Sequence, residues 1–354
     1  MHTTGLQFKA GPAAYADIRK RGFSPERIGT IAGASGGAKW LVLSQIDRVI
    51  IERLLPQLRG PVHLVGSSIG AWRFACYAQK APLKAIDRFE EAYVGQSYSE
   101  KPDRQEISDK SRAILQSMLG TTGAVEIVNH AQFRTHVLTV RSRLMTASDN
   151  KPLLGLGLMA AATANVVSRR SLGAFFSRGL FYDQRALPPF YNVEGFPLHR
   201  IRLTEDNLVD AIIASGSIPL VLNGVRNIPG APPGTYRDGG VIDYHLDLPL
   251  SEPDRYTLFP HFFDSMKPGW FDKRLSWRRM TPANTERTIL ICPSPEFIRG
   301  LPNAKVPDRT DFVTLRPPER IRIWRNVIDR CRYLADDFAD VIANDSLAAR
   351  LEPL

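Results

Sequence analysis

The chain has 354 residues, of which 44% are hydrophobic and 23% charged, a composition typical of a folded protein that argues against disorder. Its formal net charge is +10, which favours an anionic partner such as nucleic acid or an acidic lipid surface. Because the lysines and arginines are scattered, a generally basic, solvated surface is an equal alternative. The three cysteines have no paired spacing, which indicates reduced thiols and a cytoplasmic protein. The N-terminal sequence, MHTTGLQFKAGPAAYADIRK, lacks the apolar region and cleavage site of a secretory signal.

The first third of the chain alternates helix and strand patterns, which indicates a mostly parallel sheet with helices on its faces. The patterns predict a helix at 11–21, a strand at 28–32, a helix at 38–55, a strand at 62–65 and a helix at 69–79. Helical, charge-rich sequence follows at 82–119, and a strand pattern at 136–144. Further strands are predicted at 198–203 and 288–292.

Between positions 152 and 168 lie 17 uncharged residues, PLLGLGLMAAATANVVS, followed by Arg169 and Arg170. This run is shorter than the ~20 apolar residues needed to span a bilayer. It predicts a helix that is buried in the core or lines the site, with a membrane-inserting helix as the alternative. The chain closes with a predicted helix at about 318–345, whose apolar positions recur every three or four residues and form a core-packing face. We expect one domain over 1–354, with a mainly helical insertion at about 82–185.

The most informative segment is PVHLVGSSIGAWRFACY at 61–77, which predicts a strand, a Gly-x-Ser-x-Gly turn and a helix. Such a turn places the Ser68 hydroxyl on a tight corner at a helix N-terminus, so Ser68 is the leading candidate nucleophile. The turn requires glycine at positions 66 and 70, Gly66 and Gly70, because side chains there would clash as the backbone reverses direction. The pentapeptide by itself is a weak signal, since serine-glycine turns are common in loops.

A second glycine cluster, GASGGAK at 33–39, also lies between a strand and a helix. A phosphate-binding loop is disfavoured, because Ala38 replaces a required glycine and Trp40 replaces a required hydroxyl residue. A second nucleophile turn fits the spacing, which makes Ser35 the main rival of Ser68. A third interpretation is a cradle for a developing oxyanion, formed by the backbone amides of Gly36, Gly37 and Ala38.

Two further segments lie far downstream, ASGSIP at 214–219 and DGG at 238–240. A lone Asp-Gly-Gly is usually a turn. In order, however, SGGAK, GSSIG, ASGSIP and DGG resemble the successive blocks of patatin-like phospholipases, over roughly residues 29–249. The resemblance implies a three-layer α/β/α sandwich with a mostly parallel central sheet. It also implies a serine acyl hydrolase that acts on lipid esters through a Ser-Asp dyad.

When the family's functional residues are matched to positions of this sequence, the resemblance implies that Ser68 is the nucleophile and that Asp238 is its partner. Lys39 corresponds to the basic residue of the first block, and Gly239 to the glycine after the aspartate. The oxyanion hole would be formed by Gly36 and Gly37, followed by Ala38.

The sequence departs from the family pattern at two places. Ser35 and Trp40 replace glycines of the first block, which leaves the oxyanion geometry open. After Asp238, the family often has an asparagine before a proline, whereas this chain has DYHLDLP at 243–249.

A Ser-Asp-His triad is an alternative to the dyad, since His245 and His261 follow Asp238. It is disfavoured because an α/β-hydrolase elbow normally follows more strands than the first 65 residues supply, and because His245 lies too near Asp238 for a separate loop. His63 lies inside a predicted strand and is expected to be structural. No His-Glu-x-x-His, Cys-x-x-Cys or calcium-loop spacing occurs, so neither a metal nor a cofactor is predicted.

The segment 267–279 interleaves aromatic and basic residues, a pattern suited to the headgroup layer of an anionic bilayer. These residues are Lys267, Trp270, Phe271, Lys273, Arg274, Trp277, Arg278 and Arg279. Aromatic side chains packed inward beneath a solvated basic face are the alternative. We expect a lipid ester as substrate, no nucleic acid partner, and a cytoplasmic protein with peripheral membrane contact left open. Two other functions fit the same motifs, a lipid acyltransferase and a catalytically silent lipid- or partner-binding module.

Overall fold

The computed structural model describes residues 5–354; the first four residues of the N-terminal sequence considered above lie outside this range. Within it, a large, mostly parallel sheet is flanked by helices, so the predicted α/β fold is confirmed. The strands are β1 (Leu6–Ala10), β2 (Ile28–Gly33), β3 (Val62–Ser67), β4 (Phe133–Ser142), β5 (Phe176–Tyr182), β6 (Leu198–Arg202), β7 (Thr235–Asp238), β8 (Tyr256–Pro260), β9 (Thr288–Pro293) and β10 (Leu351–Pro353).

The α-helices cover the sheet and connect its strands. They are α1 (Pro12–Arg21), α2 (Ser44–Val49), α3 (Ile69–Tyr77), α4 (Pro82–Gly95), α5 (Arg104–Leu119), α6 (Gly123–Val128), α7 (Lys151–Val167), α8 (Glu205–Gly216), α9 (Pro282–Thr285), α10 (Pro295–Arg299), α11 (Asp311–Thr314), α12 (Pro317–Arg330), α13 (Arg332–Ala343) and α14 (Leu347–Arg350). A 3₁₀ helix, Gly37–Val42, follows β2 and leads into α2.

The order of neighbouring strands in the sheet is β10-β1-β9-β8-β2-β3-β4-β5-β6. The remaining strand, β7, pairs antiparallel with β4 and is not part of this order. Every residue of β2 and β3 is buried, as expected for central parallel strands that are covered on both faces. In the register of these two strands, Gly33 lies opposite Gly66. The loops that follow β2 and β3 therefore leave the sheet side by side.

The segment 82–185, predicted as a mainly helical insertion, contains two strands of the central sheet as well as helices. β4 pairs in parallel with β3, and β5 pairs antiparallel with β4. Eight of the ten residues of β4 are buried, because the strand lies inside the sheet and not on an appended unit. This segment is thus an integral part of the sheet.

The single helix predicted at 318–345 is two helices, α12 and α13, which meet at Cys331. The backbone of Cys331 has φ −70° and ψ −8°, and this ψ departs from the helical value of about −42°, so the chain bends there. The predicted apolar face is nevertheless buried along both helices, from Trp324 to Val341.

Helix α7, which contains the uncharged run, packs on one side only. Its buried side chains, among them Leu154 and Leu158, contact Phe176 and Val241 in a small hydrophobic cluster. Its opposite side exposes an apolar stripe made of Leu153, Leu156, Met159, Val166 and Val167. Among residues 5–354, no helix combines the length and the apolar composition needed to cross a bilayer.

Candidate active site

Ser68 occupies the sharp turn between β3 and α3. Its φ of 54° and ψ of −128° are rare for a residue with a side chain and mark a strained backbone. Two hydrogen bonds hold this conformation: the Ser68 amide donates to Ser215 Oγ at 2.8 Å, and Ser215 Oγ donates to the Leu138 carbonyl at 2.6 Å. The ASGSIP segment therefore fixes the turn by tying it to α8 and β4.

Glycines allow the two neighbouring loops to touch. A Cβ atom at Gly70 would lie 2.0 Å from the Gly33 carbonyl oxygen, and one at Gly66 would lie 2.4 Å from the Ala71 amide nitrogen. Backbone atoms on both sides leave no room for a side chain. The glycine cluster after β2 is thereby packed directly against the Ser68 turn.

The structure brings Ser68 and Asp238 together, although 170 residues separate them in the sequence. Ser68 Oγ donates a hydrogen bond of 2.8 Å to Asp238 Oδ2, and the Gly240 amide donates one of 2.7 Å to Oδ1. Asp238 ends β7, where it pairs with Thr139 of β4. The exposed fractions are only 5% for Ser68 and 6% for Asp238.

Burial raises the pKa of Asp238 to about 6. The hydrogen bonds from Ser68 and Gly240 act in the opposite direction, because they stabilise the ionised carboxylate. A carboxylate with this pKa is largely ionised at neutral pH and still basic enough to accept a proton.

Gly36 and Gly37 line the same pocket as Ser68. The amides of Gly36 and Gly37 donate to no acceptor within residues 5–354, and both glycines line the pocket. Gly37 has a φ of +57°, in the left-handed region that favours glycine. A Cβ atom at Gly36 would lie 2.5 Å from the ring of Phe262. Together with Ala38, the second residue of the 3₁₀ helix, they form a turn whose amides have the chemistry of an anion cradle.

Ser35, the rival nucleophile, has a different environment. It is buried, and its Oγ donates to Ser67 Oγ at 2.9 Å. In the part of the chain that the structure describes, Ser35 Oγ donates to neither a carboxylate nor a histidine. Its amide donates to the carbonyl of Tyr244.

Within residues 5–354, none of the three candidate histidines hydrogen-bonds to Ser68 or Asp238. His245 and His261 are buried with their ring centroids 4.3 Å apart, and each Nδ1 contacts a neighbouring backbone amide. Burial lowers the pKa of both rings, which are therefore neutral at pH 7. His63 is buried on β3, and its Nδ1 lies 2.8 Å from Nε2 of His136.

Three cationic side chains line the pocket beside Ser68: Lys39, Lys273 and Arg309. The Nζ atom of Lys273 lies 3.9 Å from the ring centroid of Tyr244. The sequence indicated a supporting role for Lys39 and placed Lys273 in the basic-aromatic segment. It gave no signal for Arg309, which lies in the irregular connection before α11 and belongs to no motif.

A family model, that of patatin-like phospholipases, matches residues 33–246. No curated protein matches the chain. Among solved structures, VipD from Legionella pneumophila is similar at 10% sequence identity and a TM-score of 0.32, over 75% of this chain and 55% of VipD. The chain thus spans little more than half the length of VipD. Because the family model covers more than half of the sequence, the chain belongs to the patatin-like phospholipase family.

Proposed function

We propose that the protein is a serine hydrolase that cleaves fatty-acyl esters of phospholipids or related lipids through an acyl-enzyme. The observation that carries the proposal is the 2.8 Å hydrogen bond from Ser68 Oγ to the buried carboxylate of Asp238. A hydroxyl becomes an effective nucleophile when a base accepts its proton during attack. Asp238 lies in place to be that base, and its raised pKa suits proton transfer near neutral pH.

In the proposed acylation step, Ser68 Oγ attacks the ester carbonyl carbon while its proton passes to Asp238 Oδ2. The amides of Gly36 and Gly37, and that of Ala38 behind them, stabilise the negative charge on the carbonyl oxygen. When the tetrahedral intermediate collapses, the bond to the alcohol breaks and Asp238 returns the proton to the leaving oxygen. The acyl group remains on Ser68.

In deacylation, Asp238 accepts a proton from water as the water oxygen attacks the acyl carbonyl. The bond to Ser68 then breaks, Asp238 returns the proton to Ser68 Oγ, and a free fatty acid leaves. Gly239 supports this geometry, because a Cβ atom there would lie 2.2 Å from the Leu138 carbonyl oxygen and would push the Asp238 turn away from β4.

The two alternative functions make different products. An acyltransferase would use an alcohol in place of water in deacylation, so product analysis with and without an alcohol acceptor separates it from a hydrolase. A silent binding module would not turn over a p-nitrophenyl acyl ester. No contact among residues 5–354 favours either alternative.

A fluorophosphonate, which reacts with activated serines, tests the proposal. We expect it to label Ser68, so that Ser68→Ala abolishes labelling while Ser35→Ala retains most of it. Ser35→Ala is a matched control for Ser68→Ala, because both serines lie in Gly-x-Ser-x-Gly sequences and both line the same pocket. Peptide mapping that placed the label on Ser35 would overturn the assignment of both glycine clusters.

We further propose that the substrate is taken from an anionic bilayer by a cytoplasmic protein that binds it peripherally. In the segment 267–279, Trp277 is 61% exposed, whereas Trp270 is half-buried and lines the pocket. The buried carboxylate of Asp272 hydrogen-bonds to Asn165 of α7. This contact joins the segment to the C-terminal half of α7, whose outer side is the exposed apolar stripe.

Three exposed cations lie on the same two elements, and a fourth follows the end of α7: Lys151, Arg274 and Arg279, and Arg170. An apolar stripe with flanking cations fits the boundary between the acyl chains and the acidic headgroups of a membrane. The proposed docking surface therefore consists of the exposed stripe of α7, Trp277 and these four cations.

A further inference from the structure

The three cations of the pocket lack partners. The side chains of Lys39, Lys273 and Arg309 form no ion pair and no hydrogen bond with any residue of 5–354; the only specific contact of Lys273 is with the Tyr244 ring. Burial lowers the pKa of Lys39, and burial together with the charges of Lys39 and Arg309 lowers that of Lys273 to about 7. Part of the Lys273 side chain remains exposed, so water weakens this repulsion without removing it.

The positive charge of the pocket exceeds its negative charge. Two carboxylates line it, Asp238 and Asp308. Asp308 is already engaged, because Lys305 Nζ lies 3.5 Å from its Oδ1 and the Thr310 amide donates to the same atom at 2.8 Å. Three cationic side chains therefore face one available carboxylate. Because an amine with a pKa of about 7 is only half protonated at pH 7, Lys273 contributes about half a charge, which leaves a surplus of about 1.5 positive charges beside Ser68.

We propose that Lys39, Lys273 and Arg309 form a phosphate subsite that selects acyl esters bearing a phosphomonoester near the ester cleaved at Ser68. A phosphomonoester carries a charge of about −1.5 to −2 at pH 7, which matches the surplus. A phosphocholine headgroup carries one negative charge and a permanent positive charge. The same three cations would repel this positive charge. Lysine and arginine are the side chains that bind phosphate oxygens most strongly.

This inference rests on the proposed function, because it places the subsite relative to the nucleophile. Two of the three cations, Lys273 and Arg309, lie outside the residues that match the family model. The subsite is therefore built by parts of the chain that the family match does not cover.

The test compares three soluble substrates at pH 7, each below its micelle concentration: 1-hexanoylglycerol 3-phosphate, 1-hexanoylglycerol and 1-hexanoylglycero-3-phosphocholine. We expect kcat/KM for the phosphomonoester to exceed that for each of the others by about tenfold or more, as for charge-assisted hydrogen bonds. Lys273→Met and Arg309→Met should each lower this ratio by about tenfold. Lys273→Arg should restore most of it, and Lys84→Met, which removes an exposed lysine of α4, should leave it unchanged.

A second readout does not depend on turnover. Glycerol 3-phosphate should slow fluorophosphonate labelling of Ser68 in the parent, and less so in Lys273→Met or Arg309→Met. Equal kcat/KM for the phosphomonoester and the neutral ester would overturn the subsite while leaving the hydrolase in place. Protection by inorganic phosphate without any substrate preference would indicate a site for free phosphate and would overturn the substrate assignment. Failure of Ser68 labelling in the absence of any anion would instead contradict the proposed hydrolase.

Discussion

The Asp238 carboxylate is buried, accepts hydrogen bonds from Ser68 and Gly240, and has a pKa raised to about 6 from the ordinary aspartate value of 3.8. The folded protein therefore favours the protonated form more than the unfolded chain does. The resulting stabilisation is fully present below pH 3.8 and is lost as the pH rises through 6. At neutral pH, the charge that suits Asp238 to act as a base thus costs free energy of folding.

Replacing Asp238 by asparagine should separate these two effects. We expect Asp238→Asn to lower the acylation rate by ~10² to 10⁴, because the amide cannot accept the serine proton. The same change should raise the free energy of unfolding at pH 8 by up to about 3 kcal/mol relative to the parent, a gain that disappears near pH 4. Burst-phase kinetics and urea unfolding at the two pH values measure both.

Histidine variants are the control for this prediction. His245→Ala and His261→Ala, where circular dichroism shows them folded, should keep acylation within about tenfold of the parent. Loss of acylation in a folded histidine variant, with Asp238→Asn still active, would show that Ser68 belongs to a triad. An Asp238→Asn protein with no pH-dependent gain in stability would contradict the raised pKa.

The sequence predicted the juxtaposition of Ser68 and Asp238 because both lie in ordered motifs that resemble one family. It did not predict that Ser215 Oγ bonds the Ser68 amide, since a hydroxyl inside a helix pattern says nothing about its distant partner. Nor did the sequence indicate that Lys273 and Arg309 line the same pocket. Irregular loops bring them together, and periodicity carries no information about loop conformation.

The strand-turn-helix unit of β3 and α3 is held against the loop after β2 by the contact between Gly70 and Gly33. Gly155 of α7, by contrast, lies in open space, because a Cβ atom there would have no other atom within 4 Å. These two helical glycines therefore form a matched pair, one constrained by packing and one free of it.

We expect Gly70→Ala to prevent folding or to cost several kcal/mol, since backbone atoms 2.0 Å from the new methyl group cannot move aside. Gly155→Ala should instead stabilise the protein by about 0.5–1 kcal/mol, the helix propensity difference between the two residues. Thermal and urea unfolding of both variants provide the measurement. A Gly70→Ala protein with the stability of the parent would show that the two loops are not packed as described.

At the level of elements, the sequence patterns located five of the ten described strands, β2, β3, β4, β6 and β9, and they failed where tertiary contacts decide. The apolar period of α12 continues into α13, so nothing in it marked the bend at Cys331. The uncharged run of α7 predicted a helix correctly. It could not show that only one side would be covered, because composition alone does not specify which neighbours a helix has.

Over the whole molecule, the net charge of +10 and the proposed docking surface act together. Long-range attraction to an anionic bilayer would bring the protein to the membrane, and apolar contact through α7 and Trp277 would hold it there. Because salt screens the first effect and not the second, the two contributions can be measured separately.

We predict that Leu156→Gln, Met159→Gln and Trp277→Ala each weaken sedimentation with phosphatidylserine-containing vesicles by several-fold, because each removes apolar area from the interface. Binding of the parent should fall as salt rises and should be weak on phosphatidylcholine alone. Val125→Gln, which changes an exposed apolar residue of α6 outside the surface, is the matched control. Unchanged vesicle binding in all three variants would exclude this surface as the docking site.

The separation of 170 residues between Ser68 and Asp238 also has a consequence for the newly made chain. A ribosome adds about 5–20 residues per second, so Ser68 is synthesised roughly 9–34 s before Asp238. During that interval the nascent chain carries the serine without its proton acceptor. Under the proposed chemistry, an unfinished chain near a membrane could not acylate itself. The nascent chain would then be able to hydrolyse lipid esters only after most strands of the sheet have been synthesised.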